Sequence, residues 1–418
     1  MAFFKSGRAT PGWRTVVLAA VATLAITGCS SEESSEDSDR LILGALMPMT
    51  GDLQAYGETS LNGIKLAVMH VNRGGGVLGK NMAVEVGDTQ TTPQSGIDAA
   101  KKLISIEGAD AIVGALSSGV SIPVAQSVTS QDGVPQISGA STSPVITGLD
   151  DDDYMFRTVP SDAFQGKALA EVVDADGLGN VATLYINNDY GEGLSDSFSS
   201  AFEALGGTVS AALAYEPGNA SYRGELSKAA DGGAEALVLI GYPENGVTIL
   251  RQALESGTFD RFVFTDGLKA PEIIDAVGAD ALEGSYGTAP QALSDSEAAK
   301  NFTGAYESEF GERPPKPFID TAYDAAFVIA LAAQKAGKAD GTAIRDALRD
   351  VANPPGEVIL PGEWEKAMEL LENGEDIDYK GASGSIDFDD NGDVGGTFAH
   401  WAIKGGKIET VKVFEPSS

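Results

Sequence analysis

Two short apolar runs in the first half of the chain each end in a loop of serine and threonine residues. The first run covers residues 111–113 and is followed by the hydroxyl pair 117–118, while the second covers 135–138 and is followed by 141–143. A helix-length segment separates them, and this order of strand, polar loop and helix predicts a parallel sheet with ligand contacts beyond the strand ends. Hydroxyls and free backbone N–H groups at a helix start suit a small anion, most simply a carboxylate.

The same alternation restarts after residue 158 and predicts a second parallel α/β sheet. Apolar runs separated by helical patterns predict strands at 181–187, 209–215, 236–240 and 262–265. Around residues 286–292 the chain is expected to return to the first lobe. There it adds helices predicted at 298–310, 320–336 and 342–351, and a strand-like, hairpin-like tail follows from residue 384.

The predicted fold class is therefore α/β, with two Rossmann-like lobes whose parallel central sheets are joined by a multi-strand hinge. The expected first lobe comprises residues 40–158 and 286–383, and the second comprises 159–285 and 384–418. Two lobes joined by several crossings predict a hinged clamp around a cleft.

Composition excludes several function classes. The chain has 418 residues with a formal charge of −33, so nucleic acid is an improbable partner. The chain has a single cysteine, which rules out an intramolecular disulfide and a metal site built from cysteines. Its two histidines offer few side chains for acid–base catalysis or metal binding. We expect no catalytic residues, no metal and no cofactor.

The N-terminus has the pattern of an export signal. Lys5, Arg8 and Arg14 precede an apolar segment at 16–26, and the stretch ending at Cys29 resembles a bacterial lipobox. We therefore predict a lipoprotein signal peptide at 1–28, lipidation of Cys29 and an acidic disordered tether at 29–39. The alternatives are an ordinary cleaved signal or a retained anchor with a free thiol.

Two other motifs are near matches to ion- or phosphate-binding loops. Residues 74–81 approximate a phosphate-binding loop but end in Asn81, and they follow a helix and precede a strand, the reverse of the required order. Residues 387–393 imitate the start of a calcium loop, but Phe398 stands where a bidentate Glu is needed. We interpret the first as a helix stop and the second as a hairpin turn.

Several longer segments, taken together, resemble one family. They are PMTGDLQAYG, GALSSGVSIPVA, ISGASTSPVIT, YMFRTVPSDAFQG, NNDYGEGL, GYPENGVTILRQA, TAYDAA and SGSIDFDDNGD. As a set they are similar to the leucine/isoleucine/valine-type periplasmic binding proteins of ABC importers, which have the type I periplasmic binding protein fold. The resemblance runs in order over essentially the whole mature chain.

Carried over position by position, the resemblance implies an anion-binding side in the first lobe. The ligand α-carboxylate would contact Ser118 and Thr142, with the backbone of Ala140. Ser141, in the same hydroxyl loop, belongs to this candidate set.

The resemblance also implies a cation-binding side and a pair of closing tyrosines. The ligand ammonium would meet Tyr190 and Asp266, while Tyr56 and Tyr242 would close over the ligand. Some family members have a longer Glu at the position of Asp266, so the shorter side chain calls for a bridging water or a different ligand geometry. The aromatic residues Tyr286 and Phe318 are candidates for the pocket wall, with core packing the alternative.

The function implied is extracytoplasmic binding of a small amino acid, branched-chain or otherwise apolar. Its partners would be ABC permease and ATPase subunits, with the protein a monomer anchored by lipid on the outer face of the cell membrane (periplasm or cell surface). A receptor for amides or small carboxylates is one alternative. A serine hydrolase using Ser117 or Ser118 is another, with His400 as its only plausible base.

Replacing the lipobox cysteine tests the predicted anchor. In Cys29→Ala the acceptor for the lipid is lost, so the protein should move from the membrane fraction to the soluble fraction after cell breakage. Immunoblots of the two fractions measure this. Continued tight membrane association of the variant would refute lipidation at Cys29.

Overall fold

The structure is a computed structural model that describes residues 40–417. The predicted signal peptide, Cys29 and the tether up to residue 39 lie outside the described residues. Within residues 40–417, none of the helices combines the length and the apolar character needed to cross a membrane.

The first sheet has five parallel strands in the order β2-β1-β3-β4-β5. Its strands are β1 (Ile42–Met47), β2 (Ala83–Asp88), β3 (Ala111–Gly114), β4 (Gln136–Ser138) and β5 (Met155–Arg157). All residues of β3, β4 and β5 are buried. A strand that is covered on both faces has a short continuous run of apolar residues in its sequence. This explains why the runs at 111–113 and 135–138 predicted β3 and β4.

Four helices accompany this sheet in the same part of the chain. They are α1 (Gly57–Arg73), α2 (Pro93–Ser105), α3 (Ser118–Val124) and α4 (Ser130–Asp132). The N-terminus of α2 is capped by the Thr92 hydroxyl, which accepts from the Ser95 N–H at 3.4 Å, with Pro93 in the first turn. Helix α3 begins at Ser118, so the first predicted hydroxyl loop does lie at a helix start.

The second sheet has seven strands in the order β15-β14-β10-β9-β8-β6-β7. The segment between residues 162 and 290 comprises α5 (Asp162–Ala175), β6 (Asn180–Ile186), α6 (Asp189–Ala204), β7 (Thr208–Tyr215), α7 (Arg223–Ala230), β8 (Ala236–Ile240), α8 (Pro243–Ser256), β9 (Phe262–Phe264), α9 (Pro271–Val277), α10 (Ala279–Leu282) and β10 (Tyr286–Pro290). Strands β6 to β10 are parallel to one another, as predicted for 181–265.

The remaining chain first adds helices and a separate three-stranded sheet, with its strands in sequence order, to the first lobe, and then completes the seven-stranded sheet. Its elements are α11 (Glu297–Phe310), α12 (Ile319–Ala336), α13 (Gly341–Ala352), β11 (Glu357–Ile359), α14 (Trp364–Glu372), β12 (Ile377–Gly381), β13 (Gly384–Ser385), β14 (Phe398–Lys404) and β15 (Lys407–Phe414). Helix α12 packs along α1 and is buried over most of its length. Strands β14 and β15 form an antiparallel hairpin at the edge of the second sheet, as the tail pattern predicted.

The strand pairing corrects the predicted lobe bounds at two places. Strand β10 pairs with β9 and β14, so residues 286–290 belong to the second lobe rather than the first. Strand β13 pairs with β12, and residues 386–397, without a strand, carry the chain to the second lobe only before β14. The turn at 387–393 therefore joins two sheets, and its interpretation as a hairpin turn was wrong.

The chain passes between the lobes at residues 158–161, 291–296 and 386–397, which gives the expected multi-strand hinge. A buried ion pair joins the first and third of these crossings. Arg157, which is fully buried, donates to both carboxylate oxygens of Asp393 at 2.6 and 2.7 Å. It also donates to the Ser143 carbonyl oxygen at 2.9 Å and to the Thr147 hydroxyl at 2.8 Å. The guanidinium thus holds together three segments at the base of the first lobe.

Removing this guanidinium should destabilise the fold strongly, because Asp393 and several polar groups would lose their partner in a buried place. We expect Arg157→Met to lower the free energy of unfolding by about 3–5 kcal/mol. Urea denaturation followed by circular dichroism measures this. The matched control is Arg223→Met, whose pair with Glu255 is at least half exposed on both sides and should cost at most about 1 kcal/mol. Equal losses in the two variants would contradict a central role for Arg157.

Candidate functional site

The candidate residues lie where strands of both sheets reach their carboxyl ends. Each follows a different strand or its loop: Tyr56 after β1, Ser118 after β3, Ala140, Ser141 and Thr142 after β4, Tyr190 after β6, Tyr242 after β8 and Asp266 after β9. Parallel strands end at one edge of a sheet, so each lobe presents its set on one side. The two edges face each other across the cleft.

The lobes are closed over this site. None of the eight candidate side chains is more than 6% exposed. The Tyr56 hydroxyl of the first lobe donates to the main-chain carbonyl oxygen of Asp266 in the second, at 3.2 Å. A second contact across the cleft joins Ser117 Oγ to the Tyr242 hydroxyl at 3.0 Å.

Two glycines allow the helices that flank the cleft to come this close. A Cβ on Gly193 of α6 would lie 2.7 Å from Pro144 Cδ in the opposite lobe. A Cβ on Gly119 of α3 would lie 3.2 Å from the Asn188 Cβ, again across the cleft. The closed arrangement therefore brings backbone against side chain with no room for a larger residue at Gly193.

In the first lobe, the loop after β4 is shaped by Ser138. Its hydroxyl accepts from the N–H groups of Ala140 at 3.2 Å and Ser141 at 2.9 Å, and donates to the Ala115 carbonyl oxygen at 2.6 Å. The Ser141 hydroxyl lies 2.7 Å from Ser121 Oγ, within the same lobe. The main-chain N–H of Ala140 and both polar groups of Ser141 thus have partners inside the protein, and their predicted ligand contacts stay predictions.

Thr142 and Ser118 differ in the partners of their hydroxyls. Ser118 Oγ accepts from the Ser143 N–H at 3.2 Å. Thr142 Oγ1 is buried beside the carboxyl group of Asp162 and opposes the rise in the pKa of that group, but in the described residues the two side chains form no hydrogen bond of normal geometry. A buried hydroxyl without a partner is costly, so Thr142 is the group on this side most in need of one.

In the second lobe, Asp266 is the centre of a hydrogen-bond network. One of its carboxylate oxygens accepts from the Tyr190 hydroxyl at 2.8 Å and from Gln165 Nε2 at 2.9 Å. The Tyr190 ring stacks on Tyr242 with 5.6 Å between ring centroids. The predicted pair of Tyr190 and Asp266 is therefore in direct contact, held in place by Gln165.

A second buried carboxylate, Asp162, lies beside this network and was not among the predicted residues. Both of its carboxylate oxygens are buried without a hydrogen-bond partner of normal geometry in the described chain. Burial raises its pKa well above the usual range, and the negative charge of Asp266 raises it further, against the opposing effects of Thr142 and Arg157. Burial likewise raises the pKa of Asp266 to about 6, although hydrogen bonds from Tyr190 and Gln165 oppose this. Two neighbouring carboxylates in a closed cleft suit a ligand cation.

Aromatic side chains border the network on the first-lobe side. Tyr56 contacts Phe318 edge to face, with 5.8 Å between ring centroids, and Phe318 is buried. Phe318 has φ +71°, a backbone conformation that costs a bulky residue about 1–3 kcal/mol and that clusters at binding sites. Tyr286 packs edge-on against His400 and contacts none of these side chains through its ring in the described chain.

The geometry does not support nucleophilic catalysis or metal binding. Ser117 and Ser118 bond to Tyr242 and to a backbone N–H, whereas His400 packs on Tyr286. In the described part of the chain, no group of three His, Cys, Asp or Glu side chains is placed to hold a metal ion.

Asp162 was missed because its local sequence has an ordinary structural explanation. It occupies the first turn of α5, directly after the N-cap Ser161, where an acidic residue stabilises a helix by itself. Gln165, one turn later, looks like a surface residue of the same helix. A signal was available, because both lie in the segment YMFRTVPSDAFQG that carries part of the resemblance.

Comparisons with known proteins show the family to which this fold belongs. A family model described as "Periplasmic binding protein" matches residues 41–365. The leucine-, isoleucine-, valine-, threonine-, and alanine-binding protein of Pseudomonas aeruginosa is 29% identical over 330 residues, 78% of this chain and 86% of that protein. A chemotactic signal transduction system substrate-binding protein of Halobacterium salinarum is 28% identical over 353 residues, 82% of each chain. The crystal structure of a leucine-binding protein from Thermotoga maritima, 27% identical, superposes with a TM-score of 0.77 over 90% of this chain and 99% of that one.

The raised pKa of Asp266 should make the unliganded protein less stable as pH rises through the window from 3.8 to about 6. In this window the unfolded chain has lost the proton that the folded protein still holds, so the free energy of unfolding falls by roughly 1.4 kcal/mol per pH unit. Asp266→Asn should remove this contribution. Urea denaturation of both proteins at several pH values measures the difference. A wild-type stability that rises relative to the variant across the window would contradict the raised pKa.

Proposed function

Because the chain belongs to the periplasmic binding protein family, we propose that it is the solute-binding protein of an ABC importer and holds a free amino acid in its cleft. This family binds solutes and is not enzymatic. The observation that carries the proposal is the pair of buried carboxyl groups, Asp162 and Asp266, enclosed between the lobes beside the buried hydroxyl of Thr142.

A zwitterion would satisfy both sides of the site at once. Its ammonium group, placed near Asp266 and Asp162, would supply the positive charge that the two buried carboxylates lack. Its carboxylate would accept from the hydroxyls of Thr142 and Ser118 in the first lobe. Each end of the ligand then contacts a different lobe, so ligand binding favours the closed state.

Aromatic side chains beside the network suit an apolar ligand side chain. Tyr56 and Phe318 provide aromatic surface beside the network, and Tyr242 stacks on Tyr190. The names of the relatives from Pseudomonas aeruginosa and Thermotoga maritima, which refer to leucine and similar amino acids, support this proposal. We infer a branched-chain or other apolar amino acid as the ligand class.

A receptor role is a second candidate, which the Halobacterium salinarum relative named for chemotactic signal transduction supports. The ligand chemistry would be the same, but the closed protein would dock on a membrane receptor instead of a permease. Deleting the gene separates the two roles. Loss of amino-acid uptake supports the importer, whereas loss of taxis towards the amino acid with uptake intact supports the receptor.

The family places the protein outside the cytoplasm. We further propose that Cys29 carries a lipid anchor, that the acidic residues up to 39 form a tether, and that the protein works as a monomer.

A thermal unfolding screen tests the ligand class. Leucine, isoleucine or valine at ~100 times its dissociation constant should add ~2.7 kcal/mol of stability. The corresponding amino-acid amides lack the carboxylate for Thr142 and Ser118, so they should shift the midpoint far less. If only small carboxylates shift the unfolding midpoint, the cleft remains the proposed ligand site, but the role proposed for Asp266 is wrong.

The site itself is tested by the double variant Thr142→Val/Asp266→Ala. Loss of a hydroxyl and of a charged hydrogen-bond partner should weaken binding of the ligand found in that screen by roughly 100-fold, measured by calorimetry. Thr208→Val/Asp260→Ala makes the same chemical changes at exposed positions and should leave affinity unchanged. Unchanged affinity in the first variant would refute the site.

A further inference from the structure

We propose that the protein has a second binding site, for a small oxyanion, in a cavity beside the hinge. The cavity has a volume of about 290 Å³. Three cationic side chains line it, which is unusual in a chain with a formal charge of −33: Lys269, Arg313 and Lys316. Nothing in the function proposed above uses these groups.

Both lobes contribute to the cavity. Lys269 follows β9 and Thr410 belongs to β15, both in the second lobe, and Gln291 begins the second hinge crossing. Arg313 and Lys316 lie in the first lobe, in the loop between α11 and α12. The site is thus complete only in the closed arrangement.

Lys269 is the central group of the site. Its side chain is 5% exposed, and the one hydrogen bond found for its ammonium in the described chain goes to the neutral amide oxygen Oε1 of Gln291, at 3.0 Å. Burial lowers its pKa to about 8, the positive charge of Arg313 lowers it further, and Asp320 opposes this. A buried ammonium with three donors and one neutral partner lacks a counter-ion in direct contact.

Arg313 is a second cationic side chain on the lining of the same cavity. Its Nη2 donates to Asp320 at 2.9 Å, and its guanidinium lies 5.3 Å from the centre of the Phe302 ring. Its Nε, however, is buried and has no hydrogen-bond partner within residues 40–417. Arg313 and Lys269 line the same cavity, and the charge of Arg313 contributes to the lowered pKa of Lys269.

Lys316 completes the cationic lining but is already compensated. Its ammonium donates to the Ala55 carbonyl oxygen at 2.6 Å and pairs with Glu272 of the second lobe. The groups left with free donors are therefore the Lys269 ammonium and the Arg313 Nε.

An oxyanion matches these donors. Two oxygens of a carboxylate or a phosphate can accept charge-assisted hydrogen bonds from an ammonium and a guanidinium together. Of the acidic residues lining the cavity, Asp320 is held by Arg313 and Glu307 is exposed, so neither compensates Lys269 by contact. A cation would face the ammonium directly, which argues against a metal or an amine ligand.

Calorimetric titration of the wild-type protein with inorganic phosphate and with acetate, at constant ionic strength and without amino acid, tests this site. We expect saturable binding of at least one anion. Binding of phosphate alone identifies a phosphate-type ligand, and binding of acetate identifies a carboxylate. The titrations are repeated with leucine, isoleucine or valine at saturation, because the cavity is complete only in the closed arrangement. If neither anion binds in either condition, the proposal is wrong. Failure of the function proposed for the main cleft would instead show as the absence of any amino-acid response.

Variants assign the binding to the cavity. Lys269→Met keeps the aliphatic stem but removes the ammonium, and it should weaken anion binding at least about tenfold. Arg313→Gln should also weaken it and provides an independent variant should the first fail to fold. Lys228→Met, at an exposed lysine of α7, is the matched control and should bind as the wild type does. Equal affinity in the wild type and in either cavity variant would overturn the proposal.

Discussion

The closed cleft depends on the burial of two neighbouring carboxylates, Asp162 and Asp266. Burying one unpaired carboxylate costs several kcal/mol, and burying two beside each other costs more, because the charges repel. The protein tolerates this since the raised pKa values let a proton replace a counter-ion. Hydrogen bonds from Tyr190 and Gln165 then fix Asp266 in orientation. We propose that binding of a ligand ammonium group offsets this cost.

Much of the fold was predictable because buried parallel strands leave a clear mark in sequence. The strand predicted at 236–240 is β8, and the helix predicted at 320–336 is α12 with one residue added. The confirmed resemblance gave the same two-lobed architecture. The errors concern which sheet a strand joins. Tyr286–Pro290 and Gly384–Ser385 have ordinary strand patterns, and nothing local in them distinguishes pairing with one sheet from pairing with the other.

For the site, the sequence analysis singled out residues that come directly after strands and missed two in the first turns of α5. Tyr190 and Asp266 were predicted and lie in contact. Asp162 and Gln165 escaped because a helix start explains them without any ligand. The contacts of Ala140 and Ser141 could not be anticipated either, since the hydroxyl of Ser138 that occupies their N–H groups becomes a neighbour only when the loop folds back. Which groups of a loop hydrogen-bond to each other depends on its folded conformation and not on the residue order alone.

The two glycines at the mouth of the cleft have a consequence for ligand choice. Where Gly193 meets Pro144, and Gly119 meets Asn188, backbone and side chain already touch in the closed state. These contacts limit how closely the two lobes can approach each other, whichever ligand lies between them. The distance between the lobes in the closed state is therefore set by the protein. A solute is selected by whether its length matches that distance.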